Sequence, residues 1–298
     1  MENSKTKAIV ADLGLFYAAA IWGSTFFIVK NALANIDPIV MVAYRFLIAG
    51  IVLLLYLLYK KKNIFANLKE AFFLSVILLF LYIPQTVGLK YTTASNSGFI
   101  TGLFVAFIPL FSRIIFKVKP TIMELLACGV SLVGLWILTG GMHDINFGDI
   151  LTLLAAVTYA LHVLYSDKYM KKGVDPLTFS CQQFIFVGLL SFCYALAFDL
   201  PLQVSSSYAW NATIFLALFP TLSAFVIQMF AQKTRPPLRV SLIFALEPVF
   251  AAIFAWTLGE EAIITHRALG GCLIFIALII SSLPASLFLP KRNETVEM

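Results

Sequence analysis

The sequence predicts an all-α integral membrane protein of ten transmembrane helices, built as two five-helix repeats of opposite orientation. Three observations carry that reading: an apolar composition, ten apolar runs joined by short connections, and basic residues concentrated in alternate loops.

Hydrophobic residues make up 61% of the chain and charged residues only 12%, with a mean hydropathy of +0.94. A soluble domain carries about 25% charged residues, and a soluble chain of this length has no interior large enough to hide so much apolar surface. Lipid is therefore its solvent. The net charge of +6 does not point to nucleic acid, because the Lys and Arg sit in short loops, where they signal topology. Cys128, Cys181, Cys193 and Cys272 all fall within apolar segments. They show no CxxC or Cys/His metal spacing, so neither a metal nor a cofactor is expected.

Each apolar run is long enough to approach the roughly 20 residues a membrane helix needs. The first, Leu13–Ala32, follows a short polar N-terminus; no A-x-A-like site ends a short apolar core, so it reads as an uncleaved helix. Next come Pro38–Tyr59, entered through Asp37-Pro38, and Leu68–Leu89 with Pro84 inside. Ala94–Phe116 holds Pro109 and a Gly98-x-x-x-Gly102 spacing that permits close helix contact. Thr121–Thr139 and Asp149–Met170 follow, then Pro176–Phe198, entered through Asp175-Pro176. Tyr208–Gln232 contains Pro220 and is ended by Pro236-Pro237, since proline disfavours helical backbone in the residue before it. Leu238–Leu258 contains Glu247-Pro248, and His266–Phe288 is the tenth run.

Counting Lys and Arg by alternate loops puts nearly all of them on one side. Only Lys30, Lys90 and Arg267 fall on the other, and Arg45 lies within a helix. The positive-inside rule then places both termini in the cytoplasm. Sliding the chain on itself brings Asp12 onto Asp149, Trp22 onto Tyr159, Asp37-Pro38 onto Asp175-Pro176, Arg45 onto Gln183 and Leu103 onto Leu246. Two repeats, residues 1–140 and 141–298, follow. Five helices in each force the second to enter the membrane inverted, an arrangement found in many transporters.

The motifs also carry a family resemblance. Ile21-Trp22-Gly23-Ser24-Thr25-Phe26, Tyr44-Arg45-Phe46-Leu47-Ile48-Ala49 and the stretch from Leu89 to Phe99 in the first half resemble EamA-type members of the drug/metabolite transporter superfamily. So do Leu246-Glu247-Pro248-Val249-Phe250 and Leu258-Gly259-Glu260-Glu261 in the second. The resemblance covers essentially the whole chain. It implies ten helices around a central cavity formed mostly by the first, third, fourth, sixth, eighth and ninth, and a small-molecule exporter in a bacterial inner membrane. Tyr159 and Gln183 depart from the first-half pattern of Trp22 and Arg45.

An ionisable group inside a bilayer costs about 2.5 kcal/mol or more, so each needs a reason. Arg45, about 10 Å into its helix, either attracts an anionic or zwitterionic substrate group or serves as an architectural donor that snorkels. Glu247, beside the helix-bending Pro248, either takes up a proton coupled to substrate movement or is a static partner of a donor such as Arg45 or Arg239. Trp22, Tyr82, Gln85, Asn96, Tyr159, His162 and Gln228 are the further cavity candidates, each with ordinary helix packing as its alternative. His162 can switch charge near neutral pH or simply be a satisfied structural histidine. Pro84, Pro109, Pro220 and Pro248 are candidate hinges.

No GxxxxGK[ST] motif is present, which argues against ATP hydrolysis. No HExxH, GxSxG or paired acidic constellation is present either; His143-Asp144 reads as a solvated turn. A secondary transporter of small metabolites is the expectation, with proton coupling or facilitated diffusion both open. A lipid or lipid-precursor flippase is the alternative, and a membrane-embedded enzyme stands last.

Overall fold

The computed structural model describes residues 2–139, 145–258 and 265–281. His143-Asp144, the Gly259-Glu260-Glu261 motif, Lys291, Arg292 and the far end of the tenth apolar run lie outside the described residues. All regular structure within them is helical: α1 (Glu2–Gly23), α2 (Thr25–Ala32), α3 (Pro38–Tyr59), α4 (Leu68–Gly88), α5 (Ala94–Gly102), α6 (Phe104–Ile114) and α7 (Ile122–Thr139). They continue as α8 (Phe147–Lys171), α9 (Pro176–Ala197), α10 (Ser207–Leu216), a π-helical turn (Ala217–Ser223), α11 (Ala224–Gln232), α12 (Pro237–Phe244), α13 (Glu247–Leu258) and α14 (Thr265–Ile280).

These helices coincide with the ten apolar runs, but four runs are broken. The first breaks at Ser24, the fourth at Leu103 and the ninth at Ala245-Leu246, while the eighth passes through the π-helical turn. Among the described residues, taken as continuous stretches, seven are long and apolar enough to cross a membrane, with Ile122–Leu138 and Ala268–Ile280 as shorter apolar helices. Pro248 therefore does not kink a helix interior. It sits in the first turn of α13, where a missing N–H removes no intrahelical bond.

Local chemistry explains the entries. Asp37 accepts from the amides of Ile39 and Val40, and Asp175 from that of Thr178, each followed by proline in the first turn. Such a cap is worth about 1 kcal/mol. Asn146 and Asp149 form a reciprocal capping box at the start of α8.

Packing pairs α3 with α9, α4 with α8, α1 with α11 and α7 with α14. The α3–α9 contact is close because each helix offers a glycine to a bulky residue of the other. A Cβ on Gly50 would lie 2.7 Å from the Ile185 side chain, and one on Gly188 would lie 2.8 Å from that of Leu47. Gly134 and Gly270 meet similarly between α7 and α14. In the fourth run, Gly102 admits Leu135 of α7, whereas Gly98 has ordinary clearance to Phe26. Gly188→Leu is expected to drive α3 from α9 and to cost about 1–3 kcal/mol through overpacking, read as a lower melting temperature of the purified protein.

The outside of this bundle is apolar. Phe27, Leu55, Phe80, Ile114, Trp136 and Phe219 are among the many large side chains exposed along the helices. So much contiguous apolar surface is stable only against lipid or another apolar body.

Polar contacts collect at two ends. At one, Asp12 of α1 is held by Arg235 and Arg239, and Lys62 lies 3.7 Å from Asp175. At the other, Lys30 donates to the carbonyls of Leu89 and Thr92, Lys90 lies 3.8 Å from Asp37, and Thr92 donates to Asp149. Lys62, Arg235 and Arg239 thus lie at one end, and Lys30 and Lys90 at the other.

Candidate functional site

The helix breaks converge on the middle of the bundle. There a cavity of about 40 Å³ is lined from α1–α2, α3, α4, α5, α8, α11 and α13. Six of the sequence candidates line it: Trp22, Arg45, Tyr82, Gln85, Tyr159 and Glu247. Three do not. His162 is fully buried beside it and pairs with Gln183 at 2.9 Å. Gln228 is buried in α11 against Gln232, and Asn96 is half-buried in the first turn of α5, its amide bonded to Thr93.

Trp22 and Arg45 are both anchored to the π-helical turn. A π turn offsets successive carbonyls from the usual register, leaving acceptors free for side chains. Trp22 Nε1 donates to the carbonyl of Pro220 at 2.7 Å, and Arg45 Nε donates to Thr221 Oγ1 at 2.5 Å. The Thr221 hydroxyl donates in turn to the carbonyl of Leu216. The Arg45 guanidinium also lies over the Tyr82 ring, 4.7 Å from its centroid, so a cation–π contact supplements a long hydrogen bond to the Tyr82 hydroxyl. Thr221→Val keeps the shape but strands Arg45 Nε in a buried site. The expected loss is about 1–3 kcal/mol, seen as a lower melting temperature.

Glu247 opens α13 and is 6% exposed. Its carboxyl neighbours the Tyr159 side chain, and Oε1 has no hydrogen-bond partner within the protein. Gly23 lets α1 come this close, since a Cβ there would lie 2.6 Å from the Glu247 carbonyl. Among the described residues no ion pair links Arg45 to Glu247. A cation and a carboxylate thus share one cavity without direct contact.

Aromatic rings close the cavity toward the Asp12 end. Phe104 stacks on Tyr159 at 4.2 Å between centroids, Tyr159 lies 6.4 Å from Phe244, and Trp22 meets Phe244 edge-on at 4.7 Å. In the other direction the lining reaches Val29 and Leu89, near Lys30. Gln85 donates to Thr101 across the wall, fixing its amide.

Sequence reasoning did not select Thr25, Phe26, Thr86 or Phe225 as lining. Thr25 and Phe26 stand in the same motif as Trp22, and the break at Ser24 turns α2 so that they face the cavity too. For Phe225 no sequence signal distinguishes it from the other phenylalanines. Of the proline candidates, Pro220 lies in the π turn, Pro84 and Pro109 lie inside α4 and α6, and Pro248 lies in the first turn of α13.

The sequence matches the EamA-like transporter family over residues 9–140 and again over 146–283. It is 31% identical over 282 residues to an uncharacterized transporter of Archaeoglobus fulgidus, covering 93% of this chain and 87% of that one. It is 25% identical over 289 residues to the uncharacterized inner membrane transporter YedA of Escherichia coli K12, covering 93% and 92%. A protein of known crystal structure shares the fold at a TM-score of 0.78 and 18% identity, covering 91% of this chain and 96% of that one.

Proposed function

Because the chain belongs to the EamA-like transporter family, we propose that it is a secondary transporter that exports a small amphipathic metabolite, such as an amino acid or a related compound, by alternating access. The observation that carries the substrate reading is the cavity shared by Arg45 and Glu247 without a bond between them. Arg45 suits a carboxylate of the substrate, Glu247 suits an amine or a proton, and Trp22, Tyr82 and Tyr159 suit an apolar body. Glu247, with Oε1 free of protein partners, is the group assigned to proton coupling.

The chain crosses the membrane ten times in this reading, as inverted repeats over residues 1–140 and 141–298, with both termini cytoplasmic. The reciprocal glycine contacts support it. Gly50 against Ile185 and Gly188 against Leu47 exchange under the same shift that carries Asp37 onto Asp175. The breaks at Leu103 and Leu246 also correspond, under the slightly longer shift that aligns the later parts of the two halves. A cavity of about 40 Å³ has room for only a few waters, so loading a metabolite requires the broken helices to separate. Pro84, Pro109, Pro220 and the α12–α13 break are the places assigned to that motion.

The test is an untargeted comparison of the medium from cells producing the intact chain with that from cells producing Glu247→Gln at matched membrane levels. One compound class accumulating outside only with the intact chain supports export and gives the substrate. Equal accumulation removes Glu247 from the mechanism. Accumulation from neither removes export under those conditions and turns the question to uptake and lipid flipping.

A further inference from the structure

A second cavity, of about 230 Å³, lies beyond the aromatic layer toward the Asp12 end. It shares α8 with the first and takes its other walls from α6, α7 and α12. On α8 it takes Leu164 and Asp167, where the first cavity takes Tyr159; eight residues of helix separate Tyr159 from Asp167 by about 12 Å. Along α5–α6 it takes Ile108 where the first takes Thr101, and along α12–α13 it takes Leu238 where the first takes Glu247. Phe104 and Phe244 fall between these positions on α5–α6 and α12–α13, and both stack on Tyr159, which itself lines the first cavity.

Asp167 is the acid of this second cavity and is 8% exposed. Its Oδ2 accepts from Lys171 at 2.8 Å, and its Oδ1 is buried with no hydrogen-bond partner in the protein. Three further charged side chains line this cavity. Lys168 is exposed, with Nζ 5.6 Å from the centroid of the Tyr165 ring; Lys171 is exposed and paired to Oδ2; Glu124 accepts from the Thr121 amide. Among the described residues, Glu247 and Asp167 are the two carboxylates with a buried oxygen that lacks a protein partner. Each lines one of the two cavities.

Burying a carboxylate oxygen without a partner is costly, so a site that keeps one calls for a donor from outside the protein. The faces of the rings between the two sites attract cations as well. We propose that the second cavity is a binding station for an organic ammonium group on the substrate's route to the first cavity, with the Asp167 carboxylate its acceptor. The permeant is therefore a compound bearing a protonated amine on an apolar body. This deepens the transporter reading and rests on it.

The experiment uses the purified full chain in nanodiscs, with Glu247→Gln removing the carboxylate of the first cavity. Calorimetric titration compares 2-phenylethylamine, a cation at neutral pH, with the uncharged 2-phenylethanol. The Glu247→Gln protein is expected to bind the amine about tenfold more tightly than the alcohol, the worth of one charge-assisted hydrogen bond. Adding Asp167→Asn is expected to abolish that preference, and Asp167→Glu in the same background to restore it, which separates ligand recognition from a folding defect. Equal binding of amine and alcohol by the Glu247→Gln protein, or a preference that survives Asp167→Asn, overturns the proposal. The export comparison answers separately for the transporter reading: export by the intact chain together with equal binding of the two probes leaves that reading standing and removes only the second station.

Discussion

Glu247→Gln is expected to lower export at least about tenfold and to leave whatever flux remains insensitive to external pH. Glutamine occupies the same volume, but it can neither carry a charge nor take up a proton. The lost contact is of the charge-assisted kind, worth about 1.5–3 kcal/mol, which corresponds to at least about a tenfold change. Folding is not expected to suffer. Exchanging a buried charge for a neutral group of the same shape is often neutral or stabilising, so the melting temperature should hold or rise while transport falls. The measurement is substrate flux from proteoliposomes at several external pH values, with melting curves of the same preparations. Full pH dependence in Glu247→Gln would exclude this carboxyl as the coupling group. A parallel fall in stability and flux would assign it a structural role instead.

That prediction rests on a residue readable before any coordinates, because a Glu-Pro pair within an apolar run asks for an explanation. The same holds for Arg45 and for the aromatic residues at matched positions, Trp22 and Tyr159, which meet at 6.3 Å across the same cavity. Composition and loop charge made the helical membrane class legible, since both follow from the energetics of a bilayer rather than from detailed packing.

Hydropathy could not show where helices break. A helix that stops at Leu103 and resumes at once is as apolar as one that continues, and nothing in the residues around Ala217 announces a π turn except Pro220. Those breaks decide which side chains reach the cavity. They bring in Thr25 and Phe26, and they leave Asn96 near the start of α5, one turn from the helix end. His162 shows a second limit. It shares a helix with Tyr159 and, three residues on, nearly the same face, yet its partner is Gln183 of α9 and it does not line the cavity. Periodicity gives the angle between two side chains on one helix; which neighbour each face meets is settled by tertiary packing.

Asp12→Ala is expected to have the larger effect on stability, about 2–3 kcal/mol. Arg235 grips Asp12 with both Nε and a terminal nitrogen, at 2.6 and 2.5 Å, and Arg239 adds a third contact at 3.1 Å. The fork is the strong form of carboxylate recognition. All three side chains are mostly shielded, at 13%, 20% and 23% exposure, so removing the shared acceptor leaves two cations poorly solvated. Loss of one partner from a fully buried pair costs about 3–5 kcal/mol; residual exposure lowers the figure here. Arg239→Ala, which leaves the fork intact, is expected to cost only about 1 kcal/mol. A double-mutant cycle on Asp12 and Arg235, read by thermal melting, measures the coupling, and a value under about 0.5 kcal/mol would reduce the cluster to an ordinary surface pair. The position that corresponds to Asp12 under the internal alignment is Asp149, and at the opposite end it accepts from the Thr92 hydroxyl, a neutral donor. At these matched positions one end of the bundle carries a charged clasp and the other a neutral hydrogen bond, beside the more exposed and longer Lys90–Asp37 pair. If the two ends open in turn, the charged one is the harder to release, and the favoured state keeps the Asp12 end shut while the central cavity reaches toward Val29 and Leu89. Asp12→Ala then acts on access as well as on stability, by removing the contact that sets this preference.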